Sequence, residues 1–231
     1  MFGELKRMGK LSTEVREGTG ISTDQLIEKL VADLRPPGIR PGTALLFALV
    51  TAVIAVAALL NGTLGLRADL AVAITSPRFL FKVAVVGTLA LTAFLSLRIS
   101  AYPGADWRLW HALLPATLLL SAGVIVELFS VQSADWAART MGQNSLTDVT
   151  AISLLGLPPL WGFITALGHG APPRPASAGM LAGVLSGAIA ATFYAAHGTD
   201  DSPLFVAAWY SLAIGVLAVI GAAAGRLLIR W

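Results

Sequence analysis

One histidine and three carboxylates are the residues of this sequence whose types and spacing are best suited to chemistry. His197, Asp200 and Asp201 share a short polar segment, and Asp148 opens a hydrophobic stretch. Imidazole and carboxylate oxygens together can bind a divalent metal ion, and a free imidazole, with a pKa of about 6.5, can respond to mild acid. The alternative is local structure, in which Ser202 caps the next helix and the acids complement its dipole. The four residues are therefore candidates for sensing a chemical signal and weaker candidates for binding a metal.

Two further ionisable residues lie inside hydrophobic stretches. Lys82 and Glu127 are each a few residues from the end of such a stretch, at similar predicted depth. An ionisable group inside a membrane span is either functional or paired with a partner. We expect a structural ion pair between them.

Composition defines the elements that must position these residues. The 231 residues have a mean hydropathy of +0.76, and only 13% of them are charged. A soluble domain carries about twice that charged fraction, so the excess apolar surface must face lipid. The absence of cysteine excludes disulfides and thiolate metal sites. The sequence also contains no catalytic, phosphate-binding or nucleic-acid motif, so we expect neither enzyme activity, nor a cofactor, nor direct nucleic-acid binding.

Hydrophobic stretches long enough to cross a bilayer occur along residues 43–231, since a span needs roughly 20 apolar residues. They are Thr43–Leu60, Phe79–Leu97, Leu109–Ser130, Val149–Leu167, Ala176–Ala196 and Leu204–Gly225. The fourth contains Pro158 and Pro159, which remove backbone donors and are expected to break the helix. The sequence thus predicts an all-α polytopic membrane protein with a six-helix transmembrane domain. Glycines spaced four apart, such as Gly179 and Gly183, indicate close helix packing, which we expect within one bundle rather than between two copies.

The distribution of basic residues predicts the orientation in the membrane. If the N-terminus is inside, the outer side holds only Arg67, Arg78, Lys82 and Arg139 of the 16 Lys and Arg residues. Cytoplasmic segments of membrane proteins are enriched in these residues. We therefore expect both termini in the cytoplasm.

Residues 1–42 form a charged tail with one predicted amphipathic helix, at about 22–35. Ser22 and Gln25 have the spacing of a capping box, and Pro36 ends the helix. Apolar side chains recur with helical spacing on one stripe, at Leu26, Ile27, Leu30, Val31 and Leu34. This stripe can be covered by the protein's own inner surface, by lipid headgroups, or by a groove on a cytosolic protein. The largely acidic polar face argues against the headgroups.

Three stretches together resemble the NrsF-like family, the negative regulators of sigma factor F. The first is the tail, from Thr23–Ile27 to Ala32–Pro36. The second runs from Gly142–Leu146 through Leu157–Leu160 to His169–Pro172. The third is His197–Val206, followed by Trp209–Ser211. The resemblance covers the chain from about residue 22 to its end.

The resemblance implies a six-span anti-sigma factor of the bacterial inner membrane. Its tail would hold an extracytoplasmic-function sigma factor away from RNA polymerase until an envelope stress signal releases it. The tail residues expected to contact the sigma factor are Leu26, Ile27, Leu30, Val31, Leu34 and Arg35. The family pattern also implies sensing cysteines at the positions of Asp148 and Gly198, and this chain has neither. Either its signal differs or the cysteines have been replaced. A small transporter or channel is the alternative function, disfavoured because the spans contain few polar groups that could line a path.

Overall fold

A computed structural model describes residues 23–32, 39–104 and 107–229, without the side chains of residues 23, 30, 32 and 107–109. The chain divides into two units, with the boundary between positions 38 and 39. The described part of the first unit is helix α1, Thr23–Ala32. It lies within the predicted range of 22–35. The predicted cap at Ser22 and the predicted end near Arg35 lie outside the described residues.

The second unit is built from helices that are long and apolar enough to cross a membrane, which confirms the predicted all-α, six-span fold. The spans are α2 (Pro41–Thr63), α4 (Pro77–Ser100), Trp110–Ser130, α7 (Ser145–Leu167), α8 (Pro175–Tyr194) and Pro203–Leu228. The third comprises a 3-10 turn, Trp107–Leu113, and α5, Leu114–Ser130. The sixth comprises α9 (Pro203–Phe205), a π-helical turn (Val206–Tyr210) and α10 (Ser211–Leu228). Two short helices, α3 (Leu70–Ala73) and α6 (Trp136–Met141), lie in the connections.

Proline begins four of the six spans, at Pro41, Pro77, Pro175 and Pro203. Its fixed backbone angle suits the first helical position, where the missing N–H costs no hydrogen bond. Consecutive spans run in opposite directions, so the first, third and fifth end at one face, which we call the distal face. The opposite face, where the first span begins, is the proximal face.

The predicted break in the fourth span is wrong. A single α-helix runs from Ser145 to Leu167 with Pro158 and Pro159 both inside it. A helix opened within hydrocarbon would leave backbone groups without water to bind, so the membrane favours an unbroken helix despite the lost donors.

The fifth and sixth spans make the most extensive helix–helix contact of the bundle. A Cβ built on Gly179 would lie 2.1 Å from the carbonyl oxygen of Gly221, and one on Gly183 would lie 2.1 Å from that of Leu217. Only glycine lets the two backbones approach so closely. The glycine repeats therefore pack within one bundle, as expected.

The third span is peripheral. In its α-helical part only Ala116 and Glu127 are buried. Many of its apolar side chains, such as Leu118 and Phe129, are largely exposed, as suits a lipid-facing helix. Glu127 is thus a buried carboxylate on a helix that is mostly exposed or half-buried.

Candidate functional site

The connection between the fifth and sixth spans, residues 195–202, gathers polar contacts from most of the distal face; we call it the distal loop. Lys82 of the second span is fully buried beneath it. Its ammonium donates to the carbonyl oxygens of Gly198 (3.1 Å) and Asp200 (3.2 Å) and pairs with Asp201 Oδ1 at 2.5 Å. It also lies 5.7 Å from the centre of the Tyr210 ring, within cation–π range. A buried cation thereby fixes the loop's backbone as well as its carboxylate.

Arg67, in the connection after the first span, binds the same loop from the side. Its guanidinium donates to Asp201 Oδ2 at 3.0 Å and to the Gly198 carbonyl oxygen at 3.3 Å, and its Nε donates to Asp69 Oδ1 at 2.7 Å. Its backbone N–H donates to the carbonyl oxygen of Ala196. The hydrogen bond with Asp69, and then that with Asp201, raises the pKa of Arg67 above its ordinary value. The hydrogen bond from Arg67 in turn lowers the pKa of the exposed Asp69. Asp201 is therefore held between two cations, Arg67 and Lys82.

Glu127 attaches the third span to the start of the sixth. Its Oε2 accepts hydrogen bonds from the Ser202 hydroxyl (2.7 Å) and the backbone N–H of Leu204 (3.1 Å). Its Oε1 lies 3.3 Å from Arg139 and 3.7 Å from Arg78. A carboxylate of a neighbouring helix therefore satisfies an N-terminal amide of the sixth span.

Two predictions about these residues are corrected. Glu127 and Lys82 do not form the expected pair: Glu127 faces the arginines at the edge of the bundle, and Lys82 faces Asp201 beneath the loop. Ser202 does occupy the N-cap position, but its side chain makes no cap hydrogen bond and donates to Glu127 instead. The sequence indicated how deep Lys82 and Glu127 lie in the membrane, but not toward which neighbouring helix each side chain points.

Asp148 is buried in the first turn of the fourth span. Its Oδ1 accepts a 2.8 Å hydrogen bond from the hydroxyl of Tyr194. A Cβ added at Gly198 would lie 3.6 Å from Asp148 Oδ2 and 3.5 Å from the hydroxyl of Tyr210. That hydroxyl is buried with no hydrogen-bond partner among the described residues. The fold thus brings together positions 148 and 198, where the resemblance implies cysteines.

The other two predicted sensing residues bind backbone groups. His197 Nδ1 lies 3.0 Å from the carbonyl oxygen of Gly65, and its ring tilts against Tyr194 at 5.4 Å between ring centres. Asp200 Oδ2 accepts a hydrogen bond from the backbone N–H of Gln143 at 3.2 Å. Gly142, with a φ of 60°, permits this approach, since a Cβ there would lie 2.8 Å from Asp200 Oδ2.

The metal interpretation of Asp148, His197, Asp200 and Asp201 gains no support. Among residues 23–32, 39–104 and 107–229, no three His, Asp or Glu side chains are placed to hold one ion. The four face different partners: a tyrosine hydroxyl, a carbonyl oxygen, a backbone amide and a pair of cations. Asp148 lies in the fourth span and the other three in the distal loop, and no three of them converge on one point.

Comparisons with known proteins bear on the whole of this architecture. The sequence matches the family described as negative regulator of sigma F over residues 30–231. The chain belongs to this family. It is 36% identical over 215 residues to the anti-sigma-F factor NrsF of Caulobacter vibrioides, covering 90% of this chain and 99% of the relative. It is 30% identical over 175 residues to the probable anti-sigma-F factor NrsF of Azospira oryzae, covering 75% and 82% respectively. No solved structure matches.

The tail residues predicted to contact a sigma factor are only partly described. Leu26, Ile27 and Val31 are each about half exposed, at 47%, 53% and 59%. Asp24 in the first turn of α1 and Lys29 in the last have the signs that suit the helix dipole. The side chain of Leu30 and all of Leu34 and Arg35 lie outside the described residues.

The sequence did not indicate that Arg67, Tyr194 and Tyr210 contact the distal loop and Asp148. Arg67 carried one usable signal, since it lies on the side that the charge bias leaves poor in basic residues. An arginine against the bias is expected to have a local acidic partner, and here it has two, Asp69 and Asp201. The tyrosines carried no such signal, because aromatic residues are common at span ends.

Proposed function

We propose that this protein is a membrane-bound anti-sigma factor that holds an extracytoplasmic-function sigma factor through its N-terminal helix. The observation that carries the proposal is the exposed apolar stripe of α1, in a chain whose family consists of negative regulators of a sigma factor. An isolated helix of this length is marginal in water, so a partner that covers Leu26, Ile27 and Val31 would also stabilise it. An amphipathic helix bound in a groove is a common mode of peptide recognition. The relatives' names, anti-sigma-F factor, point to the same kind of partner.

The proposed location is the bacterial inner membrane, with both termini in the cytoplasm. This orientation follows from the basic residues, and it puts the tail in the compartment that contains RNA polymerase. The distal face, with Asp148 and the distal loop, then faces the envelope, and we propose that it receives the release signal. The charged residues described in the spans, which are Arg78, Lys82, Arg98, Glu127, Asp148 and Arg226, lie toward span ends. No described charge lies at a midplane path, so the spans offer little support for a transporter.

The experiment that tests partner binding uses the full-length chain in membranes. Each extracytoplasmic-function sigma factor of the source bacterium is co-expressed with it, and the fraction held at the membrane is measured. We expect one of them to be held by the wild type, and Ile27→Asp or Val31→Asp to weaken capture at least ten-fold because an aspartate cannot enter an apolar groove.

Lys29→Asp is the matched control, because it places the same residue in the same helix off the stripe. It should capture the sigma factor as the wild type does. Capture that survives Ile27→Asp and Val31→Asp would show that the stripe is not the binding surface. Capture that is lost equally in Lys29→Asp would show that charge or helix integrity, rather than the stripe, matters.

The release step is tested at the distal face. Asp148→Ala and His197→Ala each remove one polar contact of the distal loop region, with Tyr194 and Gly65 respectively. We expect each to alter induction of a sigma-dependent reporter under pH challenge or envelope stress, while a thiol-specific oxidant modifies nothing because the chain has no cysteine. Unchanged induction in the double variant would remove these residues from the sensing role and leave them as structural contacts.

A further inference from the structure

A groove of about 520 Å³ opens at the proximal end of the second span. Leu95, Arg98, Ile99, Tyr102 and Pro103 line it. Leu95, Ile99 and Tyr102 are spaced four and three residues apart, and Arg98 is adjacent to Ile99, so the four lie on one side of the helix end. The groove therefore runs along the helix from the hydrocarbon toward the membrane surface.

The two halves of the groove differ in chemistry. Leu95 and Ile99 are about half exposed. Leu95 lies about one turn inside the span, among lipid tails, and Ile99 lies beside Arg98 in the last turn. Arg98 lies in the last turn and Tyr102 just beyond the helix end, at the level where headgroups begin. The groove is thus apolar at its deep end, at Leu95, and combines the Arg98 guanidinium with the apolar side chain of Ile99 at the level where headgroups begin.

Arg98 is a guanidinium in need of an anion. Within the described residues no hydrogen bond or ion pair of its side chain is found. Arg67, which also lies at the membrane boundary, is by contrast bound to two carboxylates. A guanidinium binds phosphate oxygens in a bidentate manner, and a nearby phenol can donate a further hydrogen bond.

The start of the first span lies beside the polar groups of the groove. A Cβ built on Gly42 would lie 3.2 Å from the Tyr102 hydroxyl and 3.7 Å from Arg98 Nη2. The absence of a side chain at Gly42 therefore keeps both polar groups accessible. A larger residue there would fill the cationic end without removing its charge.

We propose that this groove binds one anionic phospholipid. Arg98 and the Tyr102 hydroxyl hold the headgroup phosphate, and an acyl chain lies along Leu95 and Ile99. Free phosphate would use the cationic end alone and leave the apolar half unexplained. Basic pockets at helix ends are a known way for membrane proteins to recognise such headgroups. Because Gly42 lies beside Arg98 and Tyr102, the lipid would sit next to the start of the first span.

The test uses the purified full-length chain, delipidated in mild detergent, and needs no sigma factor. Phosphatidylglycerol, phosphatidylcholine and inorganic phosphate are titrated separately, and bound molecules are counted by native mass spectrometry. We expect one tightly bound phosphatidylglycerol, with phosphatidylcholine at least ten-fold weaker. Arg98→Gln should weaken the binding of phosphatidylglycerol at least ten-fold. Gly42→Leu should also weaken this binding, although it leaves the charge of Arg98 in place.

Arg174→Gln is the matched control, since Arg174 is an exposed arginine at the proximal start of the fifth span but outside the groove. It should bind phosphatidylglycerol as the wild type does. If Arg98→Gln and Arg174→Gln weaken the binding of phosphatidylglycerol equally, the proposal is overturned, because surface charge alone would then account for the binding. Binding of phosphatidylcholine as tight as phosphatidylglycerol, or of inorganic phosphate as tight as the lipid, would overturn it too. Circular dichroism of each variant checks that the helices are intact, and Gly42→Leu provides the second reading should Arg98→Gln fail to fold.

Discussion

Replacing Lys82 by methionine should destabilise the membrane unit more than any other single charge removal beneath the distal loop. The methionine side chain has nearly the shape of lysine but cannot donate a hydrogen bond. Asp201 then keeps one cation of two, because Arg67 remains 3.0 Å away. The carbonyl oxygen of Gly198 likewise keeps Arg67, whereas no other donor in the described part of the chain reaches that of Asp200.

The size of the effect follows from these contacts. Removing one partner of a buried ion pair costs about 3–5 kcal/mol when the other charge is left uncompensated. Arg67 compensates Asp201, which puts this contribution at about 1–2 kcal/mol. A carbonyl oxygen left without a donor in a buried site adds about 1–3 kcal/mol. We expect Lys82→Met to lower the free energy of unfolding by about 3 kcal/mol.

The assay is equilibrium unfolding of the full-length chain in mixed micelles, followed by tryptophan fluorescence and circular dichroism. Lys29→Met in the exposed tail helix is the control and should stay within about 0.5 kcal/mol of the wild type. A double-mutant cycle with Asp201→Asn should give a coupling energy of about 1–2 kcal/mol. A loss below about 1 kcal/mol for Lys82→Met, or a coupling energy near zero, would refute the reasoning that Lys82 holds the loop.

Three further outcomes are expected. Reporter fusions at Trp231 and near Asp135 should read cytoplasmic and extracytoplasmic respectively, and a C-terminus outside the cytoplasm would contradict the orientation. Gly183→Leu should force apart the fifth and sixth spans and destabilise the bundle by at least about 1–3 kcal/mol in the same unfolding assay, whereas an unchanged stability would contradict the close backbone contact. The pKa of Asp69 is lowered by Arg67, so its charge contributes to stability above the ordinary carboxyl pKa of about 3.9, and that contribution is lost only as the pH falls through the lowered folded value. Any difference in the free energy of unfolding between Asp69→Asn and the wild type should therefore be the same at pH 7 and pH 5 and become smaller below about pH 4. A difference that disappears already at pH 5 would contradict the pairing of Asp69 with Arg67.

The sequence predicted the spans well because the requirement behind them is local. About 20 apolar residues in a row satisfy the bilayer whatever surrounds them. The exception was the fourth span, where Pro158 and Pro159 suggested a break and the helix continues. The rule that proline ends helices comes from chains in water, where freed carbonyls can be hydrated, and hydrocarbon removes that option.

The candidate site was predicted less completely because its contacts join distant parts of the chain. Depth in the membrane put Lys82 and Glu127 at one level, but their partners depend on the rotation of each helix, which charge and hydropathy do not encode. The distal loop itself was recognised from its residues, including Asp201. The structure was needed to show that Asp201 binds two cations, Arg67 and Lys82, which lie 134 residues and more than 100 residues earlier in the chain.

The close contact of the fifth and sixth spans has a mechanical consequence for the distal loop. The loop joins these two helices, whose backbones are in direct contact from Gly179 with Gly221 near the proximal face to Gly187 with Ile214 nearer the loop, with no side chain of the glycines between them. The two helices that carry its ends are therefore held against each other below the loop. A stimulus that displaces the loop must act on its attachments to Arg67, Lys82 or Glu127, which lie in the first connection, the second span and the third span. The fifth and sixth spans would then stay fixed relative to each other, and the third span, the least buried of the six, would move.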